Sequence, residues 1–171
     1  MKAKFIIFLA MACVSSLVYA AAEKPAPDAV VVKVLDTPLP HEEDKRENFL
    51  WDTFANKPEE RKFDSYGTDK WKDNFAVFAK TLVQKAEDQK LDSASLRKAL
   101  DLVLKDSKGK IAYLPVGAYQ TTLDGRLIWI VTVKWEYPTM GSSGESVGLG
   151  HIRMFAFDQK KLKRVAFCTC M

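Results

Sequence analysis

The sequence of 171 residues predicts an α+β fold in which two or three N-terminal helices pack on one face of a four-stranded antiparallel meander. Two observations predict this class. Between residues 43 and 109, apolar residues recur every three or four positions, which is the period of a helix that packs on a core. After Lys110 the period becomes two, which is typical of strands. Helices therefore come first in the chain and strands follow.

The start of the chain has the composition of a secretory signal peptide. Lys2 and Lys4 precede a short apolar run over residues 5–17, and small residues follow up to Ala22. The run is shorter than a membrane span, and no stop-transfer charges come after it. We therefore expect residues 1–22 to be removed on export. The product is then a secreted or periplasmic protein with no transmembrane segment.

The charge balance and the first cysteine bear on possible partners. Loss of residues 1–22 lowers the formal net charge of +4 by two units, so the composition does not call for a nucleic acid partner. Cys13 lies inside the apolar run, whereas a lipoprotein signal places its cysteine directly after the run. A lipid on Cys13 is kept as an alternative. The partner class left open is a small ligand or another protein.

The segment after the signal is expected to be extended. Residues 23–42 read as a leader with few helix signals, and its only regular element is a β-branched run from Val30 to Leu35. Such a run predicts a short strand, and Pro38 and Pro40 end it. Residues 43–171 are then expected to form a single α+β domain.

Three helices are predicted next. The first covers residues 43–55 and carries aromatic residues on one side. The second begins near Asp69 and presents an apolar stripe up to Ala86. The third begins at Asp92, a good N-cap residue, and ends near Gly109. The aromatic residues expected in the helix–sheet core are Trp51, Phe54, Trp71, Phe75, Phe78, Trp129 and Trp135.

The first two strands of the meander form a hairpin. Asp124 and Gly125 predict a type I′ turn between strands over 111–123 and 126–136. The matching apolar rows place Val131 opposite Ala118. In the same register, Val133 lies opposite Val116 and Trp135 lies opposite Leu114. Pro115 and Gly117 indicate an edge strand or a bulge in the first strand.

Two further strands are predicted over 149–157 and 162–170, joined by a turn at 158–161. A glycine-rich loop over 138–150 precedes them. It lacks lysine and arginine and lies between strands, which excludes a phosphate-binding loop of the strand–loop–helix type and leaves a loop that could rim a cleft. This order of elements resembles the cystatin-like and NTF2-like two-layer folds, in architecture alone.

Cys168 and Cys170 are the residues that most strongly suggest specific chemistry. Pairing Phe157 with Leu162 places His151 opposite Cys168, so that His151, Cys168 and Cys170 share one face of the sheet. Two thiolates and an imidazole are ligands for Zn²⁺ or Cu⁺. The alternatives are disulfide or redox chemistry at the two cysteines, or two small strand residues without chemistry.

No constellation in the sequence supports an enzyme. His41 is followed by acidic residues but not by the second histidine of a metalloprotease helix, and no nucleophile elbow is present. The resulting hypothesis is an exported, non-catalytic domain that binds a small ligand or a protein partner. The alternative is a thiol redox or metal-binding protein that uses Cys168, Cys170 and His151.

Overall fold

The computed structural model describes residues 27–55, 70–136 and 151–170. The predicted signal peptide and the glycine-rich loop over 138–150 lie outside the described residues. A short 3₁₀ turn at Pro27–Ala29 opens the described chain. Three helices and five strands follow: β1 Val31–Val34, α1 Glu43–Phe54, α2 Trp71–Asp88, α3 Ser93–Asp106, β2 Ala112–Leu123, β3 Arg126–Glu136, β4 Ile152–Asp158 and β5 Arg164–Cys170. The protein is thus an α+β protein.

The sheet has five strands in the order β1-β2-β3-β4-β5, and it is mixed. The prediction of four antiparallel strands is wrong in one respect, because the strand predicted over 30–35 joins the sheet as β1 and pairs parallel to β2. All three helices lie between β1 and β2 in the chain, and a long crossover of this kind is what parallel pairing requires. Backbone bonds from Leu35 to Gln120 and from Leu39 to Thr122, both 2.8 Å, continue the contact beyond β1.

Helices cover both faces of the sheet, which corrects the prediction of a single helical face. Helices α2 and α3 pack on one face, where Phe75, Phe78 and Leu82 join Trp129 and the valines of β3 in one buried cluster, as predicted. Helix α1 packs on the opposite face. The cluster on that face consists of Leu39, Leu50, Phe54, Tyr119, Leu123, Ile128, Ile130, Ile152, Met154, Ala156 and Cys168.

The composition of β3 explains why two helical layers are needed. Its residues alternate between the faces, and Ile128 and Ile130 make the second face as apolar as the first, where Trp129 lies. A strand that is apolar on both faces must be covered on both. Helix α1 supplies that cover through Leu50 and Phe54, whereas Trp51 points away and is 45% exposed. The prediction that Trp51 lies in the core is therefore wrong.

The β2–β3 hairpin follows the predicted turn but not the whole predicted register. Asp124 and Gly125 both have positive φ, and Leu123 pairs with Arg126. The register shifts between Pro115 and Gly117, which confirms the predicted bulge. Beyond the shift, the partner of Val133 is Pro115 instead of Val116, and that of Trp135 is Tyr113 instead of Leu114. At Gly117 a Cβ atom would lie 2.7 Å from the Thr132 hydroxyl oxygen and 2.8 Å from the Tyr119 ring, so any other residue would require these side chains to move.

Side chains from α1 and α2 satisfy backbone groups at the two edges of the sheet. Along β1, the Lys85 ammonium donates to the carbonyls of Asp28 and Val30, at 2.7 Å each, and the Gln89 amide donates to Val32. Along β5, the Arg46 guanidinium donates to the Val165 carbonyl at 3.2 Å. These bonds tie the helices to the sheet margins. Within the described ranges, no helix is long and apolar enough to cross a membrane.

Candidate functional site

The β4–β5 register determines where the predicted metal ligands lie relative to one another. The predicted pairing of His151 with Cys168 is wrong, because Cys168 pairs with Met154 and Cys170 pairs with Ile152. The register shifts between Ala156 and Phe157. An irregularity of that kind next to a turn cannot be deduced from the turn residues alone.

The structure does not bring His151 and Cys168 together. Cys168 is buried in the cluster under α1, on the same face as its partner Met154. His151 lies on the other face, where its ring stacks on Trp135 of the α2–α3 cluster. Cys170 ends β5 opposite Ile152. Within residues 27–55, 70–136 and 151–170, no group of three metal-ligating side chains is assembled.

His151 instead belongs to an aromatic and cationic cluster at one end of the β3–β4 pair. The His151 and Trp135 ring centroids lie 5.1 Å apart at an interplanar angle of 29°. The Trp135 backbone N–H donates to the His151 carbonyl, which fixes the two residues side by side. Arg153 is two residues further along β4 and so has its side chain on the same face. Its guanidinium carbon lies 4.1 Å from the Trp135 ring centroid.

Arg153 is linked to helix α3 through a phenol. Its Nη1 donates to the Tyr113 hydroxyl at 2.5 Å, and that hydroxyl donates to Asp106 Oδ2 at 3.0 Å. The other oxygen of Asp106 is paired with Arg164 at 3.3 Å. Asp106 is the last residue of α3, where the helix dipole disfavours a carboxylate, and the two donors offset that cost. We call Tyr113, Trp135, His151 and Arg153 the Arg153 cluster.

The Tyr113 hydroxyl is held in its protonated form. Burial is the main reason that its pKa rises to about 12, and the hydrogen bond to Asp106 acts in the same direction. The neighbouring Arg153 opposes this shift but does not outweigh it. At neutral pH the phenol is therefore a fixed hydrogen-bond bridge rather than a proton acceptor.

For two of the polar atoms in the Arg153 cluster, the described residues provide no hydrogen-bond partner. They are Nε of Arg153 and Nδ1 of His151, and both are shielded from solvent. Among the described residues, no carboxylate forms an ion pair with Arg153. A buried donor left unsatisfied costs about 1–3 kcal/mol, and more when it is charged. Unsatisfied buried atoms of this kind call for an explanation, and a bound water or ion is one of those known from other proteins.

At the opposite end of the same strand pair the arginine has a carboxylate as its direct partner, although the Gln159 side-chain nitrogen there is buried without a partner among the described residues. Arg126 Nη1 lies 2.9 Å from Asp158 Oδ2, and the Asp158 side chain is only 3% exposed. Oδ1 of Asp158 accepts the backbone N–H groups of Lys160 and Lys161, at 3.0 and 2.9 Å. The Lys161 N–H is the largest of the causes that lower the pKa of Asp158 below its ordinary value of 3.8, with Lys160 and Arg126 adding to it against burial. The Asp158 carboxylate is therefore satisfied by groups of its own turn and by Arg126.

Sequence reasoning named His151 as a candidate metal ligand and Trp135 as a core aromatic residue, and it did not single out Arg153, Tyr113 or Asp106. Arg153 looks like an ordinary polar residue of an alternating strand, and its role depends on which face of β4 it occupies. One signal was present in the chain: with Trp135 at the end of β3, an antiparallel β4 must place its first residues beside that indole. The β3–β4 register, with Lys134 opposite Ile152, brings the two together.

No protein-family model matches this chain, and no curated protein or solved structure matches it either.

Proposed function

We propose that this chain is an exported, non-catalytic domain that binds a small organic anion at the Arg153 cluster. The ligand class is a molecule that carries a carboxylate or a phosphate. The observation that carries the proposal is the pair of unsatisfied atoms, Arg153 Nε and His151 Nδ1, beside one indole ring. Guanidinium groups bind carboxylates and phosphates through two parallel N–H bonds, and Nε is one of the donors in that fork.

The charges around the cluster favour an anion. Arg153 and Arg164 face a single carboxylate, Asp106, which already has Arg164 as its ion-pair partner. Arg153 reaches that carboxylate only through the Tyr113 hydroxyl. The cluster therefore carries one positive charge without a direct counter-ion, in a half-buried place where water screens it less than at the surface.

The hydroxyl group in the cluster acts as a hydrogen-bond bridge that positions Arg153. The Tyr113 phenol stays protonated because its pKa is raised to about 12 by burial, and its proton is committed to Asp106. It serves to position Arg153 and does not attack or deprotonate a ligand at neutral pH.

The test is calorimetric titration of the mature protein with sodium acetate and with sodium phosphate, at constant ionic strength set by sodium chloride. We expect saturable binding of at least one of the two anions. The substitution Arg153→Gln should weaken it at least tenfold, since loss of one charge-assisted bidentate contact exceeds about 1.4 kcal/mol. The two anions distinguish a carboxylate ligand from a phosphate ligand.

The matched control is Lys105→Gln, which removes one positive charge from the exposed surface of α3 next to Asp106. It should change the affinity for the anion by less than about twofold, because salt screens a charge on the exposed surface. Equal affinity in wild type and Arg153→Gln would show non-specific attraction and overturn the proposal.

Export is tested separately. Mass spectrometry of the protein recovered from the secreted or periplasmic fraction should find a mature N-terminus after Ala20 or Ala22, in keeping with the small residues at that point. An N-terminus at Cys13 with an acyl mass would establish a lipid anchor instead. Recovery of the whole chain from the cytoplasm would contradict export.

A further inference from the structure

A second candidate binding place lies on the outer surface of the helical layer, away from the Arg153 cluster. Helices α2 and α3 border a groove of about 290 Å³. This is at the lower end of the range of small-molecule sites, about 300–1,000 Å³. Apolar side chains from both helices form its floor. They are Phe75, Ala79, Val83, Leu100 and Leu104.

The groove exists because α2 carries small residues where it faces α3. Ala76 and Ala79 both line it, and Ala76 is exposed. Packed helices stand about 8–10 Å apart, and long side chains on the outer side normally fill the space between their ridges. Alanines at two neighbouring positions leave that space open. The floor below them is sealed by Phe75 and Leu100, which belong to the main core.

The rim of the groove is mainly positive. Lys72, Lys80 and Arg97 line it together with one acid, Asp101, and all four are exposed. No ion pair joins these four residues to one another or to other described residues. Lys72 and Lys80 are eight residues apart on one helix, which places them about 12 Å apart along its axis. An apolar floor thus lies between exposed side chains that are mainly positive.

We propose that this groove binds a single medium-length amphiphile with an anionic head, whose tail lies on Phe75, Val83 and Leu100 and whose head lies at Lys80 and Arg97. The excess of positive charge on the rim selects an anionic head over a cationic one. The small volume selects one acyl chain over a helix of a partner protein, because an amphipathic helix needs a longer row of anchor pockets than this groove provides.

The test is a titration of the mature protein with sodium decanoate below its micelle-forming concentration. Binding is measured by calorimetry and by backbone amide shifts in NMR spectra. We expect saturable binding with shifts centred on α2 and α3. Decyltrimethylammonium, which has the same tail and a cationic head, should bind at least tenfold more weakly. Equal binding of the two amphiphiles would overturn the charge selection, and shifts centred elsewhere would overturn the site.

Two variants with a matched control complete the experiment. Ala76→Phe fills the groove from an exposed position and should weaken decanoate binding at least tenfold without lowering the melting temperature. The double variant Lys80→Gln and Arg97→Gln should weaken decanoate binding several-fold. It should also reduce the preference for decanoate over decyltrimethylammonium. Lys98→Gln, an exposed neighbour on α3 outside the groove, should leave decanoate binding unchanged.

The outcome is separate from that of the function proposed for the Arg153 cluster. Ala76→Phe should not change acetate or phosphate binding, and Arg153→Gln should not change the decanoate shifts on α2 and α3. If decanoate binds Ala76→Phe as tightly as wild type, the groove is not its site and this inference fails. Binding of anionic vesicles but not of monomeric decanoate would also overturn it, since it would indicate a membrane-surface contact.

Discussion

The two ends of the β3–β4 pair each hold an arginine, and the two differ in what neutralises it. At one end Arg126 meets the buried carboxylate of Asp158 directly, and that carboxylate also binds two backbone N–H groups. At the other end Arg153 contacts a phenol and an indole ring, and no described residue is a hydrogen-bond partner of its Nε. The same two strands therefore end in one closed charge pair and one open donor set.

This difference separates a structural ion pair from a candidate ligand site. In the closed pair Arg126 has the Asp158 carboxylate as a direct partner at 2.9 Å, so an incoming anion would compete with Asp158. In the open set the counter-charge, Asp106, is one hydrogen bond further away and is already shared with Arg164. Under the proposed function, an anion at this end would not compete with a direct ion pair of Arg153. The account predicts that substitutions at the two ends affect different measurements.

The largest expected effect comes from the aromatic residue that lies between the two ends. Phe155 is 1% exposed, and its ring centroid lies 5.0 Å from that of Phe167 and 6.0 Å from that of Tyr113. Phe155→Ala should lower the free energy of unfolding by about 3–5 kcal/mol, as measured by urea denaturation. A loss below about 1 kcal/mol would show that the two ends do not share one packed core.

The next effect concerns the closed pair. Asp158→Asn should lower the free energy of unfolding by about 2 kcal/mol, because a charged acceptor of three hydrogen bonds is lost. Asp73→Asn, on the exposed surface of α2, is the control and should change it by less than about 0.5 kcal/mol. A similar small change for both variants would show that the Arg126–Asp158 pair contributes as little to stability as an exposed surface ion pair.

The pH dependence of Asp158 sharpens this prediction. Its pKa is lowered in the folded protein below the ordinary value of 3.8, mainly by the Lys161 N–H. The stabilisation it provides is therefore fully present above that ordinary value and is lost as the pH falls through the lowered pKa. Denaturation curves below pH 3.8 should show a smaller further loss in Asp158→Asn than in wild type. Parallel pH profiles would contradict the assignment.

The smallest effect on stability is expected at the open end. Arg153→Gln should change the free energy of unfolding by less than about 1 kcal/mol, because the lost contacts to Trp135 and Tyr113 are offset by removal of an unsatisfied donor. The change should appear instead in ligand binding. A loss of more than about 3 kcal/mol in urea denaturation would mean that Arg153 is part of the folding core and not held open for a ligand.

The two ends also differ in how much of them can be predicted from sequence. Asp158 stands at the head of a turn with Lys160 and Lys161, and an aspartate that accepts backbone N–H groups in such a turn is a local feature. The Arg153 cluster joins β2, β3 and the start of β4, and it contacts α3 through Asp106, so it depends on the strand registers. The bulge near Pro115 and the irregularity near Phe157 each shift the pairing of two strands. The residue types alone do not reveal by how many residues the pairing shifts.

The same distinction applies to the fold. Local sequence patterns predict the helices, the type I′ turn at Asp124 and Gly125, and the alternation of β3. All of these are observed. The parallel pairing of β1 and the position of α1 on the second face depend on contacts between distant segments. Apolar residues at Ile128 and Ile130 signal that the second face needs cover, but they do not say which helix supplies it.

The most direct test of the open site is an NMR titration that observes the Nε–H signal of Arg153 and the indole signal of Trp135. Sodium acetate and sodium phosphate are added in turn, and sodium chloride at matched ionic strength is the reference. The account predicts saturable shifts of both signals with one or both anions, while the Arg126 Nε–H signal stays in place. Shifts that match those in chloride, or a stationary Arg153 signal while calorimetry records binding, would contradict an anion site at the Arg153 cluster.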